Sequence, residues 1–266
     1  MSARSLPIVS PTSPETLALL REAQDSPSLV FLSGFHAIKH ALRFGAEILC
    51  IVTTDIEKLQ GFVKKLAPDF FGLYKKGVVE LIPEAQIQSL HENRLHWTGV
   101  WAVAKRPEVD SVALLQNTER TAPLVLLEDP KNAGNLGASI RVAAALGASG
   151  LVVIGKSDQS DPWAPRVVQG ASGLHFALPI GRIPRLEEFS GTLVMFDPEG
   201  ADISSVAIPK DALFLFGTER GGITDATKER GALKVRIPMR EGVSSLNLAT
   251  SVSIALYSVR SSLIIV

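Results

Sequence analysis

The stretch NAGNLGASIR, residues 132–141, sets two asparagines among glycines and follows them with an arginine. It lies between the apolar run LVLLED and a long Ala-rich segment. Its pattern is Asn-x-Gly-Asn-x-Gly, which lacks the first glycine of a dinucleotide-binding turn, and no Gly-Lys-Ser/Thr follows to cradle a triphosphate. Asparagine tolerates left-handed backbone and bonds nearby peptide groups, so Asn132 and Asn135 suit the bracing of a tight turn. Gly134 and Gly137 let another chain or a ligand approach the backbone. Arg141 stands four residues after Gly137, on the helical face that looks back at the loop. The plain alternative is a strand-to-helix turn with Arg141 in solvent.

Two later loops carry equally unusual residues. GTERGG, residues 217–222, follows a strand with almost no polar residue and holds Glu219 and Arg220 between glycines. On its own it reads first as a hairpin-like turn with both charges solvated. IPMREGVSSLNLATS places Pro238 and Met239 at a strand exit, and Ser245 and Asn247 at a helix start. One of the last two is explained by helix capping alone.

The elements that must position these loops alternate between strand and helix. After a Pro- and Ser-rich start comes a short helix over 14–23, the strand SLVFLSG and the amphipathic helix FHAIKHALRFG. The apolar, β-branched run EILCIVTT reads as a buried strand. A helix over 56–66, the strand GVVELIP, the helix EAQIQSLHE and the strand GVWAVAKRP complete a small α/β domain, residues 1–107. Residues 108–122 are polar and turn-prone and read as a linker. From 123 to 266 the alternation restarts: LVLLED, a helix over about 137–146, GLVVIG, the short strand FALPI, a helix near RLEEF, GTLVMFD, ALFLFG, KVRIPM and a closing helix over about 248–261. In an open parallel sheet, ligands bind where strands end and helices begin, and all three loops occupy that position.

Composition narrows the classes of function. At 266 residues and 46% hydrophobic content the chain has ample core, and its net charge is zero. That balance counts against a diffuse nucleic-acid surface, so any such surface is local. The clusters available are Lys39, His40 and Arg43, the pairs Lys64–Lys65 and Lys75–Lys76, and Lys105–Arg106. No apolar stretch is long enough to span a bilayer, and MSARSLPIVSPTSPETLALL has no continuous apolar h-region or small-residue cleavage site, so no secretory signal is expected. The one cysteine, Cys50, fits a reducing cytoplasm and a buried core position. The five histidines include no pair at metal-ligand spacing beside a Glu or Cys, so no metal is expected.

Taken in order, NAGNLGASIRVAAALGASGLVV, ALFLFGTERGGI and VRIPMREGVSSLNLATSVSIALY resemble the SpoU branch of the SPOUT superfamily, the RNA ribose 2′-O-methyltransferases. The segment PRVVQGASGLHFALPI also resembles that family's stretch between the first two motifs. Together the matches cover much of residues 123–260. Thr218 stands where a small polar residue or Asn is usual. The resemblance implies a parallel sheet with a C-terminal trefoil knot, and S-adenosylmethionine held bent among Leu215, Gly217, Thr218, Ile237, Pro238, Met239, Ser245, Leu246 and Asn247. It implies a homodimer with its active site completed across the interface. It assigns Arg141 to the ribose hydroxyl, as base or as stabiliser of the alkoxide. Asn135 then orients Arg141 or the ribose, Glu219 holds the loop or Arg141, and Ser245 and Asn247 complete the donor site.

Residues 28–105 resemble, over a shorter and less specific stretch, the small RNA-binding domain that precedes the catalytic domain in ribosomal-RNA members of this branch. Under that likeness Lys39, His40, Arg43 and the pairs Lys64–Lys65 and Lys75–Lys76 contact RNA phosphates, with Arg141, Arg166 and Arg220 on the catalytic side, and ribosomal RNA is favoured over transfer RNA. Two other readings stand beside it. One is a catalytically silent RNA-binding or ribosome-assembly factor on the same scaffold. The other is a Rossmann-like enzyme for a small phosphorylated substrate, with Asp158 near the strand end.

Overall fold

The computed structural model describes residues 10–70, 79–90, 96–157, 160–217, 221–230 and 233–261. The chain divides into two units, Met1–Pro107 and Glu108–Val266. In the first, the elements are β1 (Ser10–Pro11), α1 (Pro14–Glu22), β2 (Leu29–Ser33), α2 (Phe35–Arg43), β3 (Ile48–Thr53), α3 (Ile56–Leu66), β4 (Val79–Leu81), α4 (Glu84–Leu90) and β5 (Val100–Lys105). The sheet order is β1-β4-β3-β5-β2. β5 runs antiparallel to β2 and β3, whereas β4 is parallel to β3 and β1. The interior strand β5 is buried from Val100 to Ala104, which its unbroken apolar run requires. Ser13 caps α1 and Asp55 caps α3, each side chain accepting from a backbone N–H of the first turn. Cys50 is buried, and that burial pushes its thiol up to about 11.

The second unit contains α5 (Ser111–Gln116), β6 (Leu124–Glu128), α6 (Ala133–Ala145), β7 (Gly150–Ile154), α7 (Pro165–Gly170), β8 (Ile180–Ile183), β9 (Leu193–Asp202), β10 (Leu213–Phe216), α8 (Asp225–Lys228), β11 (Leu233–Arg236) and α9 (Leu248–Ser261). Its sheet runs β11-β9-β10-β6-β7-β8 with every described pair parallel. β10 and β6 sit at its centre and are buried throughout, as strands covered on both faces must be. From the edge strand β11 the chain returns through 237–247 to α9, which packs on α6 beside the sheet.

Several elements differ from the expectation. Residues 108–122 are not an open linker: Asp110 caps α5, and Leu115 is wholly buried in the second unit's core. In the same segment Arg120 is 7% exposed. Its guanidinium donates to the carbonyls of Asp211, Leu114 and Leu115 at 3.2–3.3 Å, and also to those of Asn117 and Ser190. FALPI splits into a 3-10 turn over Leu174–Ala177 and the start of β8, and RLEEF forms no helix. α6 begins four residues early because the Asn132 side chain accepts from Asn135 N at 3.0 Å and starts the helix there. Gly137 is approached by a helix, not a ligand. A Cβ on it would lie 2.6 Å from the Val167 carbonyl oxygen and 3.0 Å from Gly170 Cα.

Candidate functional site

The three unusual loops converge at the C-terminal edge of the second sheet. There a cavity of about 490 Å³ is lined by Asn135 from α6, Gly217 and Gly222 after β10, and Ile237, Met239, Ser245, Leu246 and Asn247 before α9. The fourth wall comes from β9. Lys234 pairs with Met195, but the next residue, Val235, pairs with Ala201, so residues 196–200 bulge out of register. The bulge delivers Phe196, Asp197 and Pro198 to the cavity. Phe196 stacks on Phe216 with centroids 4.5 Å apart and planes 8° apart, which makes a flat apolar wall. Gly200 permits the bulge, since a Cβ there would lie 2.5 Å from Val235 N.

Each loop is held by an identifiable contact. Gly217 presses against the far end of its own loop, where a Cβ would come within 2.2 Å of the Gly222 carbonyl carbon. Beyond that pinch, Thr224 donates from N and Oγ1 to the Glu128 carboxylate at 3.0 and 2.7 Å, and Thr227 Oγ1 donates to it at 2.7 Å. Glu128 is 6% exposed at the end of β6, so this buried carboxylate ties the second loop to the strand that enters the first. Asn247 is the helix cap: its Oδ1 accepts from Ala249 N at 3.0 Å, and its Nδ2 donates to Asn135 Oδ1 at 2.8 Å. That bond joins the first loop to the third across 112 positions of sequence.

The expected site residues divide accordingly. Asn135, Gly217, Ile237, Met239, Ser245, Leu246 and Asn247 line one cavity. Leu215 does not; it is wholly buried in the sheet core, because successive strand side chains alternate faces and this one packs against Leu126 and Met195. Pro238 is exposed and is not among the lining residues. Thr218, Glu219 and Arg220 lie outside the described residues, as does Asp158. Arg141 is exposed on α6, six positions beyond Asn135, and does not line this cavity within one chain. Arg166 is exposed at the start of α7, also away from it. In the first unit Lys39 is 9% exposed, and burial with Arg43 alongside lowers its pKa. Arg43 is engaged by Asp69 through two bonds of 2.8 and 2.7 Å, and His40 is half-buried.

Sequence reasoning missed Glu128, the β9 bulge, and Arg236, which lines the cavity from the end of β11. The bulge had a signal in DPEG, a turn sequence inside a strand. Glu128 had none, since an acid at a strand end reads equally as solvated. A second cavity of about 670 Å³ lies over the ends of β6, β7 and β8. Most of its charges are paired, as in Lys131–Asp129 at 2.6 Å, Arg185–Glu187 at 3.5 Å and Arg230–Glu188 at 3.3 Å. The smaller cavity is the better candidate, because the three chemistry-bearing loops meet there. Among the described residues no group of three or more His, Cys, Asp or Glu is placed to hold a metal ion, and no helix is long and apolar enough to cross a membrane.

Fold and site together define an α/β protein with a partly apolar small-molecule cavity at the carboxyl edge of a parallel sheet. Residues 122–257 match the model of the SpoU rRNA Methylase family, and the chain belongs to that family. A 23S rRNA (adenosine(1067)-2′-O)-methyltransferase of Streptomyces azureus is 34% identical over 146 residues, 52% of this chain and 54% of that one. A 23S rRNA (guanosine-2′-O-)-methyltransferase of Coxiella burnetii is 31% identical over 160 residues, 56% of this chain and 62% of that one. The chain thus spans between half and two thirds of these relatives' length. The AdoMet-bound rRNA methyltransferase of Sinorhizobium meliloti superposes with a TM-score of 0.72 at 24% identity, covering 97% of this chain and 98% of that one. That likeness establishes the fold.

Proposed function

We propose that the chain transfers a methyl group from S-adenosylmethionine to a ribose 2′-hydroxyl of a structured RNA, ribosomal RNA in preference to transfer RNA. The observation that carries this is the single cavity in which the family-matched loops meet, closed by the Asn247–Asn135 bond. Its size falls within the range of small-molecule sites, roughly 300–1,000 Å³. Its chemistry suits the donor. The Phe196–Phe216 wall, Ile237, Met239 and Leu246 offer apolar contact to an adenine, while backbone groups around Gly217 and the side chains of Asp197, Ser245 and Asn247 offer hydrogen bonds. When bound, the donor supplies a methyl on a positively charged sulfur.

The 2′-oxygen bonds to the methyl carbon as the carbon–sulfur bond breaks, and that bond's electron pair stays on sulfur as a neutral thioether. The hydroxyl proton passes to solvent water as the oxygen–carbon bond forms. The planar, five-donor fork of Arg141 suits it to grip the ribose-phosphate and stabilise the developing oxyanion, with any base role secondary. Asn135, whose Oδ1 accepts from Asn247, lines the cavity. Arg141 stands away from the cavity of its own chain, which favours a homodimer whose second copy completes the site. The exposed apolar residues Val243, Leu246, Ile254 and Tyr257, on α9 and the loop before it, supply a surface for that copy. The chain winding from β11 back to α9 is where the implied knot would lie. This reading places the protein with its RNA in the cytoplasm.

Titration calorimetry of the full chain with S-adenosylmethionine and, separately, with NAD tests the donor assignment. The expected result is binding of S-adenosylmethionine alone, weakened about tenfold or more in Gly217→Val, whose side chain the Gly222 backbone leaves no room for. Binding of NAD in its place would restore the Rossmann-like reading.

A further inference from the structure

Trp97 is the most exposed of the described large apolar side chains, at 67% of its surface. It sits on a rigid turn. Gly99 N donates to the His96 carbonyl at 2.9 Å, and Thr53 Oγ1 and Thr54 N both donate to the Gly99 carbonyl, at 2.8 and 3.0 Å. The turn is also fixed to the start of α2. Phe35 N donates to Thr98 Oγ1 at 3.2 Å, and Thr98 Oγ1 lies 2.7 Å from His96 Nδ1. The His96 ring covers Gly34, where a Cβ would lie 2.4 Å from it. Phe62 braces the indole edge-on at 5.5 Å, and Phe35 backs Phe62 at 5.5 Å. Lys58 donates to the Trp97 carbonyl at 2.5 Å and holds its ammonium 5.9 Å from the indole centroid.

An indole left in solvent while its backbone and neighbours are locked is a prepared contact surface, because little freedom remains to be lost on binding. The charges around it select the kind of partner. α3 carries Lys58, Lys64 and Lys65 exposed against one exposed acid in the same helix, Glu57, and the facing helix α2 presents His36 and His40. Cations beside an exposed aromatic plane match a phosphate chain carrying unstacked bases. We propose that Trp97 is a stacking platform for one unpaired base of the RNA substrate, with Lys58 and the Lys64–Lys65 pair taking the flanking phosphates. The inference rests on the reading of the chain as an RNA methyltransferase.

The test uses the full chain, with oligouridylate and a fully paired RNA duplex of equal length as probes. Trp101 and Trp163 are 1% and 7% exposed, so quenching of indole fluorescence by RNA reports chiefly on Trp97. The platform predicts quenching by oligouridylate and little by the duplex. Trp97→Leu then loses roughly tenfold or more in affinity for oligouridylate. It raises the KM for RNA with kcat and S-adenosylmethionine affinity unchanged, and Trp97→Phe recovers most of the loss. Equal RNA affinity and KM in the wild type and Trp97→Leu, with methylation intact, would overturn the platform and leave the methyltransferase reading standing. Weakened self-association in Trp97→Leu with unchanged RNA affinity would assign the indole to a protein contact and overturn it also. A wild-type chain that neither binds nor methylates RNA would overturn both.

Discussion

The Asn247–Asn135 bond and the Glu128 carboxylate do different work although both tie one loop to another. Asn247 sacrifices one end of its amide to cap α9 and uses the other to fix Asn135, so both asparagines are oriented before any ligand arrives. Asn135→Ala is expected to lower kcat by about 10-fold or more, with stability reduced by only about 1 kcal/mol, the worth of one neutral hydrogen bond. Glu128 acts on stability. Glu128→Ala strands three donors from Thr224 and Thr227 and is expected to cost about 1–3 kcal/mol in urea denaturation, with Gln recovering part of it. Arg141→Lys keeps the charge but loses the planar fork, so turnover is expected to fall by about 10². Near-normal turnover in that variant would remove the geometric role. Asn135, Ser245 and Asn247 could be singled out because they cluster in loops placed at strand ends, although Asn247 alone reads equally as the helix cap it is. Glu128 was not, because its partners lie 96 and 99 positions away.

At the scale of elements, the continuous apolar strands and the amphipathic helices α2 and α3 were legible, since burial imposes the very periodicities that identify them. What escaped was set by contacts between distant segments. The close approach of α6 and α7 over Gly137 and Gly170 places no mark on either helix beyond a glycine. The segment 108–122 reads as linker by its polarity, yet Arg120 turns its polar character inward by satisfying five carbonyls from Leu114, Leu115, Asn117, Ser190 and Asp211. Arg120→Met is expected to lower the stability of the second unit by about 3 kcal/mol, measured by chemical denaturation, because those carbonyls lose their donor in a buried place.

The turn before β5 gives a pH prediction. Thr98 N donates to His96 Nδ1, which requires that nitrogen unprotonated, and burial together with neighbouring His36 holds the His96 pKa below the usual imidazole range. A depressed folded value means stability that is fully present above the unfolded value of about 6.5 and is lost as pH falls through the folded one. The first unit of His96→Gln should therefore show a weaker loss of Tm on acidification below about 6.5 than the wild type does.

On the scale of the whole molecule, the two units place different chemistry in each half: a cavity of small-molecule size in Glu108–Val266, and a braced indole among lysines in Met1–Pro107. Zero net charge is compatible with the proposed RNA substrate where the cations are concentrated locally. In the proposed homodimer a second copy covers the exposed Ile254 and Tyr257 on α9, and sedimentation of the full chain is then expected to return twice its mass of 28.5 kDa. The most direct measurement is transfer of labelled methyl from S-adenosylmethionine to unmodified ribosomal RNA and transfer RNA side by side, with Arg141→Ala as the control and nucleoside digestion to locate the label. The account predicts label on a ribose 2′-oxygen of ribosomal RNA, lost in the Arg141→Ala protein. Label on a base, or label that persists undiminished without Arg141, would contradict it.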